Sequence, residues 1–164
     1  MRGAFGAVGR DGSSLIELGV VLAVVAVLSA LALPGLARGR ARADVSAARV
    51  AFVSAHSLTR QIAAQYGTLA ALHVDPPSDR FWVSADTSVS PPHPAWWNVR
   101  PPLNVAERFR GVRLEGPTRT LCFDARGLAT PRGGCDLPNV TLVFRSGSVA
   151  DTVTVSRLGR LSWR

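Results

Sequence analysis

The sequence predicts an α+β protein in which one long N-terminal helix, half of it transmembrane, packs on a small antiparallel β-sheet domain. Three observations predict this. An uncharged apolar stretch runs from Leu18 through Ala37. An alanine-rich stretch follows, with apolar residues recurring every three or four positions. From residue 110 onward, short alternating segments are separated by glycine turns.

At 164 residues the chain can hold one ordinary domain and an extra element, not two large cores. Its net charge is +8, and all 19 basic residues are arginine. Such a balance admits acidic partners, lipid headgroups or nucleic acid, and identifies neither.

The first element is the apolar run. Leu18 to Leu33 is almost wholly Val, Leu and Ala, and about 20 helical residues cover the ~30 Å hydrocarbon core of a bilayer. A small domain could not surround a helix that is apolar on every side, which disfavours a buried core helix. A secretory signal is the stronger competitor, because Arg2 and Arg10 precede the run. However, the run exceeds the usual apolar region, and its only Ala-x-Ala pattern, Ala30-Leu31-Ala32, lies inside it. Charge bias points the wrong way for export of the C-terminal part. Arg2, Arg10, Asp11 and Glu17 sum to zero, whereas Arg38, Arg40 and Arg42 follow the span directly.

The stretch Gly12-Ser13-Ser14-Leu15-Ile16-Glu17-Leu18 resembles the processing site of type IV pilins and type II secretion pseudopilins. The resemblance implies cleavage by a prepilin peptidase after Gly12, on the cytoplasmic side, and N-methylation of the new terminus at Ser13. The family's N-terminal glutamate falls on Glu17 and its helix-kinking proline on Pro34. Ser13 departs from the usual phenylalanine or methionine, and Asp11 stands where a basic residue is common. The implied organisation is a leader over 1–12, a transmembrane half-helix over 13–37, an amphipathic periplasmic half over 38–66 and a β-rich domain over 67–164. The implied location is the inner membrane, single-pass, with the C-terminal domain in the periplasm and incorporated into a filament there.

Physics gives Glu17 a role in that scheme. A carboxylate at the edge of the bilayer core is expensive unless paired, and the amine freed at Ser13 of a neighbouring subunit would pair it. Snorkelling to the headgroups is the alternative. Pro34-Gly35 removes a backbone hydrogen bond, and within a bilayer or bundle this reads as a kink rather than a stop.

From Arg38 to about Tyr66 the helix becomes amphipathic. Val45, Ala48, Phe52, Ala55, Thr59, Ile62 and Tyr66 share one face, while Arg49 and Arg60 fall on more exposed sides. Gly67 supplies the C-cap. Arg38, Arg40 and Arg42 would grip headgroups, pair with acidic neighbours or remain solvated.

Residues 75–102 are rich in proline and contain Trp82, Trp96 and Trp97. They read as an irregular loop or two short strands whose aromatic side chains are pinned to the core. Beyond them, Val112–Glu115 and Thr120–Asp124 read as strands, with a turn at Arg126-Gly127 and a loop at Gly133-Gly134. Val140–Arg145 and Thr152–Leu158 read as a hairpin joined through residues 146–151, with a last turn at Gly159 before Arg160–Trp163. The segments Phe123-Asp124-Ala125-Arg126-Gly127 and Val153–Arg160 are similar to the GspH/FimT class of minor pseudopilins. By themselves, Cys122 and Cys135 fit one disulfide or two inert thiols. In the periplasmic reading they are expected close in space, with a bond favoured.

Catalytic chemistry is not expected. His56, His73 and His93 are scattered, no Gly-x-Ser-x-Gly elbow or phosphate loop occurs, and Asp124 and Asp136 read as turn residues. No cofactor or metal is expected. The leading functional reading is a structural minor pseudopilin of a type II secretion or type IV pilus-like machine, assembling into or initiating a periplasmic filament for protein export. Its implied partners are other pilin-like subunits, the prepilin peptidase, an inner-membrane assembly platform, membrane lipid, and exported protein or DNA. A second reading is a minor pilin that captures DNA in natural transformation through Arg145, Arg157, Arg160 and Arg164 beside Trp163. A third is a membrane-anchored adhesin that never polymerises.

Overall fold

The structure, a computed structural model, describes residues 15–89, 94–136 and 138–163, and only the backbone of residues 31–34. Gly12, Ser13, His93, Arg164 and the side chain of Pro34 lie outside the described residues. The chain divides into two compact units, Met1–Arg38 and Gly39–Arg164. One 52-residue helix, α1 (Leu15–Tyr66), contributes to both.

Within the first unit, every large apolar side chain from Leu15 to Leu28 is exposed. An 18-residue window of this helix has a mean hydropathy of 2.6, and none of it is buried. A helix buried in a soluble core has its apolar faces covered; this one has them bare. The helix is long and apolar enough to cross a membrane. Its backbone remains helical through Pro34 and Gly35.

In the second unit the helix has a buried stripe. Val45, Ala48, Phe52, Thr59 and Ile62 are buried and Ala55 is half-buried. Tyr66 is the exception at 68% exposure. It occupies the last helical position, where Gly67 turns the chain away with φ +67°, so no strand covers it. The stripe is also wider than the heptad spacing suggests, because His56 and Ala63 are buried beside it. Arg49 and Arg60 are half-buried rather than exposed. Arg49 pairs with Asp151 at 3.2 Å, and Arg60 Nε donates to the Gly127 carbonyl at 2.9 Å.

Among the described residues, ten strands form two antiparallel sheets. The first sheet contains β1 (Ala70–Asp75), β2 (Arg80–Asp86), β3 (Trp96–Asn98), β4 (Leu103–Asn104), β6 (Arg119–Phe123) and β7 (Ala129–Thr130). Its order is β3-β2-β1-β6-β7, with β4 also paired to β2. The second contains β5 (Arg113–Glu115), β8 (Val140–Ser146), β9 (Val149–Val155) and β10 (Leu161–Trp163), in the order β10-β9-β8-β5. A four-residue helix, α2 (Val105–Arg108), is capped by Asn104, whose side chain accepts from the Glu107 N–H.

Alternation explains each sheet's inner face. Leu72, Val74, Phe81, Val83, Leu121 and Phe123 from the first sheet share one core with Leu114, Val140, Leu142, Phe144, Val153 and Val155 from the second. Phe52 of α1 lies between them, edge-on to Phe81 at 5.5 Å and tilted against Phe144 at 5.8 Å.

Two segments differ from expectation. The stretch read as an irregular loop or two short strands contains β2, a full seven-residue strand, because its prolines fall outside that strand, in a one-turn 3-10 helix, Pro76–Ser78, and in the segments before and after β3. The β8–β9 connection is a two-residue loop, Gly147-Ser148, not a six-residue one. Gly147 carries φ +57°, as the first central residue of a type II′ turn requires. The strand then ends at Val155, so Arg157 and Leu158 lie in a turn instead of a strand.

Candidate functional site

The α1 segment that carries Glu17 is the first candidate. Glu17 lies in the first described turn of the helix and is exposed, among Leu15, Ile16 and Leu18, which are exposed at 90%, 78% and 54%. It is the only ionisable residue between Leu15 and Ala37. An isolated carboxylate in so apolar a surface demands either water or a cation.

The arginines expected to act together are not one patch. Arg145 pairs with Ala150 near the tip of the β8–β9 hairpin, and its Nε donates to Glu115 at 2.8 Å. Arg157 and Arg160 belong to the β9–β10 turn at the opposite end of the same strands. At ~3.3 Å per residue, the two ends lie well over 10 Å apart. Trp163 does not accompany Arg157 and Arg160; it faces Arg49, whose guanidinium carbon is 5.8 Å from the ring centroid.

A different basic corner replaces that patch. The β9–β10 turn packs on the β6–β7 turn, where a side chain at Gly159 would strike Phe123 and Ala129. The β6–β7 turn in turn meets α1 through Arg60 and Gly127. Arg60, Arg126, Arg157 and Arg160 therefore sit on three elements that pack together. Asp124 partly neutralises Arg126, accepting from its Nη2 at 3.0 Å and Nε at 3.2 Å. Partial burial acts against the Asp124 charge, but the N–H groups of Leu128 and Arg126 and the Arg126 guanidinium outweigh it and hold its carboxyl below the usual range. Arg157 and Arg160 are exposed and make no ion pair among the described residues. The packing together of the elements that carry residues 60, 126 and 157 has no signature along the chain, so reading the C-terminus alone missed it.

No protein family, characterised protein or solved structure matches this chain. The functional reading therefore rests on its own residues.

Two histidines sit in the domain's seams. His73 is in β1, on the face of the first sheet turned away from α1. Its Nε2 lies 2.6 Å from Ser84 Oγ and its Nδ1 3.2 Å from Thr120 Oγ1. Its ring stacks on Trp82 at 4.8 Å and meets the edge of Trp96 at 5.9 Å. Burial lowers its pKa. Ser84 is fully buried, and His73 is half-buried between it and the two tryptophans. Trp82 and Trp96 thus cover the outer face of the sheet rather than the core, and Trp97 is 68% exposed. Cys122 and Cys135 are joined by a disulfide, which fastens the segment after Gly134 to the same outer face. Asp136 holds that segment too, accepting from the Thr120 N–H at 2.7 Å; it ties a strand instead of forming a turn. Among the described residues, no group of His, Cys, Asp and Glu could hold a metal ion.

Proposed function

We propose that this chain is a membrane-anchored subunit of the minor pseudopilin type, which assembles into a filament through its N-terminal helix. One observation carries the reading. A single helix presents a bare apolar surface with one carboxylate, Glu17, and continues into a stripe that packs a two-sheet domain. Such a helix satisfies its own backbone hydrogen bonds in lipid, while its side chains remain available to lipid or to sibling helices. The motif from Gly12 to Leu18 supplies the processing step: removal of the leader frees an amine at Ser13, close to Glu17 in sequence and positioned to neutralise the carboxylate of the next subunit. The domain would then stand in the periplasm. Intact mass of the protein isolated from its native membrane tests this. A chain beginning at Ser13 supports the reading, with or without an added methyl. A chain still beginning at Met1 overturns it.

A second reading is favoured by the basic corner. Four arginines from three elements, three of them without ion pairs among the described residues, suit a phosphate backbone and make the subunit a DNA-capturing one. A gel shift across a salt series separates the readings. Affinity that falls steeply with salt and is lost on Arg157→Ala with Arg160→Ala favours capture; no shift at low salt removes it.

A further inference from the structure

The edge of β2 has two partners with a gap between them. β3 pairs with Ser84–Asp86 and β4 with Arg80-Phe81. Between these ladders the connecting segment makes one bond to the edge, from Val99 N–H to the Val83 carbonyl at 2.9 Å. Pro101 and Pro102 have no N–H to donate, so the chain arches away from the strand. Opposite the arch, α1 presents Ala51, Ser54 and Ala55, side chains too short to fill the space. The result is a half-enclosed cavity of about 380 Å³ between α1, β2 and the Arg100–Leu103 arch. Its wall is mostly apolar and includes Leu58, Phe81, Val83 and Pro102. Arg100 stands at the mouth, exposed, with no ion pair among the described residues.

We infer that this cavity binds a small amphiphilic carboxylate: an apolar body that fills the space between Ala55 and Pro102, with its carboxylate on the Arg100 guanidinium. Few convergent polar groups on an apolar wall are the mark of a ligand site, and this volume lies at the small end of such sites. It admits a ring or a short chain, not a two-chain lipid. A guanidinium fork matches a carboxylate in two parallel hydrogen bonds. One arginine balances one negative charge; a phosphate dianion would leave charge uncompensated beside an apolar wall. Two sources share this chemistry, a free acid and the C-terminal residue of a polypeptide. The inference does not depend on the filament reading, since every residue it uses lies in the second unit.

The test uses the full chain in lipid nanodiscs, with empty nanodiscs as the blank, and saturation-transfer NMR. The probes are 4-phenylbutyrate for the free acid, N-acetyl-phenylalanine for the chain terminus, and 4-phenylbutanamide as the neutral control. At least one acid is expected to bind above the blank, and the tighter acid identifies the source. Ala55→Leu, which fills the cavity, should abolish binding; Ala51→Leu on the preceding turn is the alternative if that variant does not fold. Arg100→Gln should weaken the acids about five-fold or more while leaving the amide unchanged. Absence of acid binding at millimolar concentration overturns the inference. So does equal affinity for acid and amide, or binding that survives a folded cavity-filling variant.

Discussion

His56 stands edge-on to Phe123, with ring centroids 5.1 Å apart and planes at 90°. This contact seals the long helix to the first sheet, and it puts an imidazole where water is excluded. His56 is 3% exposed, and its Nε2 has no hydrogen-bond partner among the described residues. Burial, the nearby Arg60 charge and a partly offsetting contact to the Gly159 backbone bring its pKa from 6.5 down to about 4.

That shift predicts acid sensitivity. The unfolded chain takes up a proton near pH 6.5 while the folded chain resists until about pH 4. The His56 contribution to stability is therefore complete above pH 6.5 and declines as pH falls through that window. The loss reaches about 3 kcal/mol at pH 4 and levels off below it. His73 and Asp124 act in the same direction, so the comparison must be with a variant. His56→Leu should remove about 2–3 kcal/mol of the pH dependence between pH 7.5 and 4.5, read as denaturation midpoints. An identical pH dependence in the variant would refute the assignment.

Asp79 is the second node. It is 6% exposed and sits at φ 51° after the 3-10 turn. One carboxylate oxygen accepts from Arg113 Nη1 at 2.6 Å and the other from the Leu114 N–H at 2.8 Å. A turn of the first sheet is thereby bound to β5 of the second. Asp79→Ala should cost about 3 kcal/mol, since it orphans a buried N–H and strains a left-handed position. Arg113→Ala should cost only about 1 kcal/mol, because that side chain is 71% exposed and Leu114 still partners the carboxylate. Equal losses in the two variants would contradict this account.

How much of this was legible in the chain follows from what each residue answers to. Val45, Phe52 and Ile62 were readable because helical periodicity is local and their partners are apolar by the same rule. His56 was not, since only the fold reveals that the stripe widens towards Phe123 and Gly159. Asp151 resembled a loop residue, yet it lies in β9 because Arg49 across the core matches its charge. Neither Asp79–Arg113 nor the packing of the elements that carry Arg60, Arg126 and Arg157 has any sequence signature, as each joins positions more than 30 residues apart. Glu17 was legible for the opposite reason: its isolation in an apolar run is itself a local fact.

Two glycines distinguish steric from conformational demand. At Gly159, with φ +75°, an added Cβ would lie 2.7 Å from Phe123 Cε1 and 3.0 Å from Ala129 Cβ. At Gly147, with φ +57°, it would meet nothing within 4 Å. Gly159→Ala should therefore cost about 3 kcal/mol or more, through strain and overpacking together. Gly147→Ala should cost about 1 kcal/mol, from the backbone alone. The two denaturation midpoints check the order.

The Cys122–Cys135 bond closes a short loop, its ends 13 positions apart in sequence. Removing it by paired substitution to alanine should cost about 3 kcal/mol in the chain-entropy account. The loss should be local at first, because the bond and Asp136 hold the same segment to β6. Hydrogen exchange at Thr120 should accelerate before exchange at Leu142, in the second sheet. Simultaneous acceleration would indicate that the bond supports the whole domain.

Glu17 provides the sharpest separation of assembly from folding. The domain core draws on α1 only from Val45 onward, so Glu17→Ala should leave the denaturation midpoint of the domain unchanged. In lipid, a lone ionised carboxylate costs about 2.5–3.5 kcal/mol at mid-depth, so its removal should ease insertion of a single subunit. If a neighbour's amine answers the charge, the same substitution removes an attraction that fixes one helix against the next. Glu17→Ala should then reduce cross-linking between subunits at least ten-fold, Glu17→Gln should do nearly as much, and Glu17→Asp should retain part of it. Were Glu17 merely snorkelling to the headgroups, Glu17→Gln would cross-link as well as the unmodified chain. Cysteine cross-linking along α1 in native membranes, compared across these variants, decides between the two.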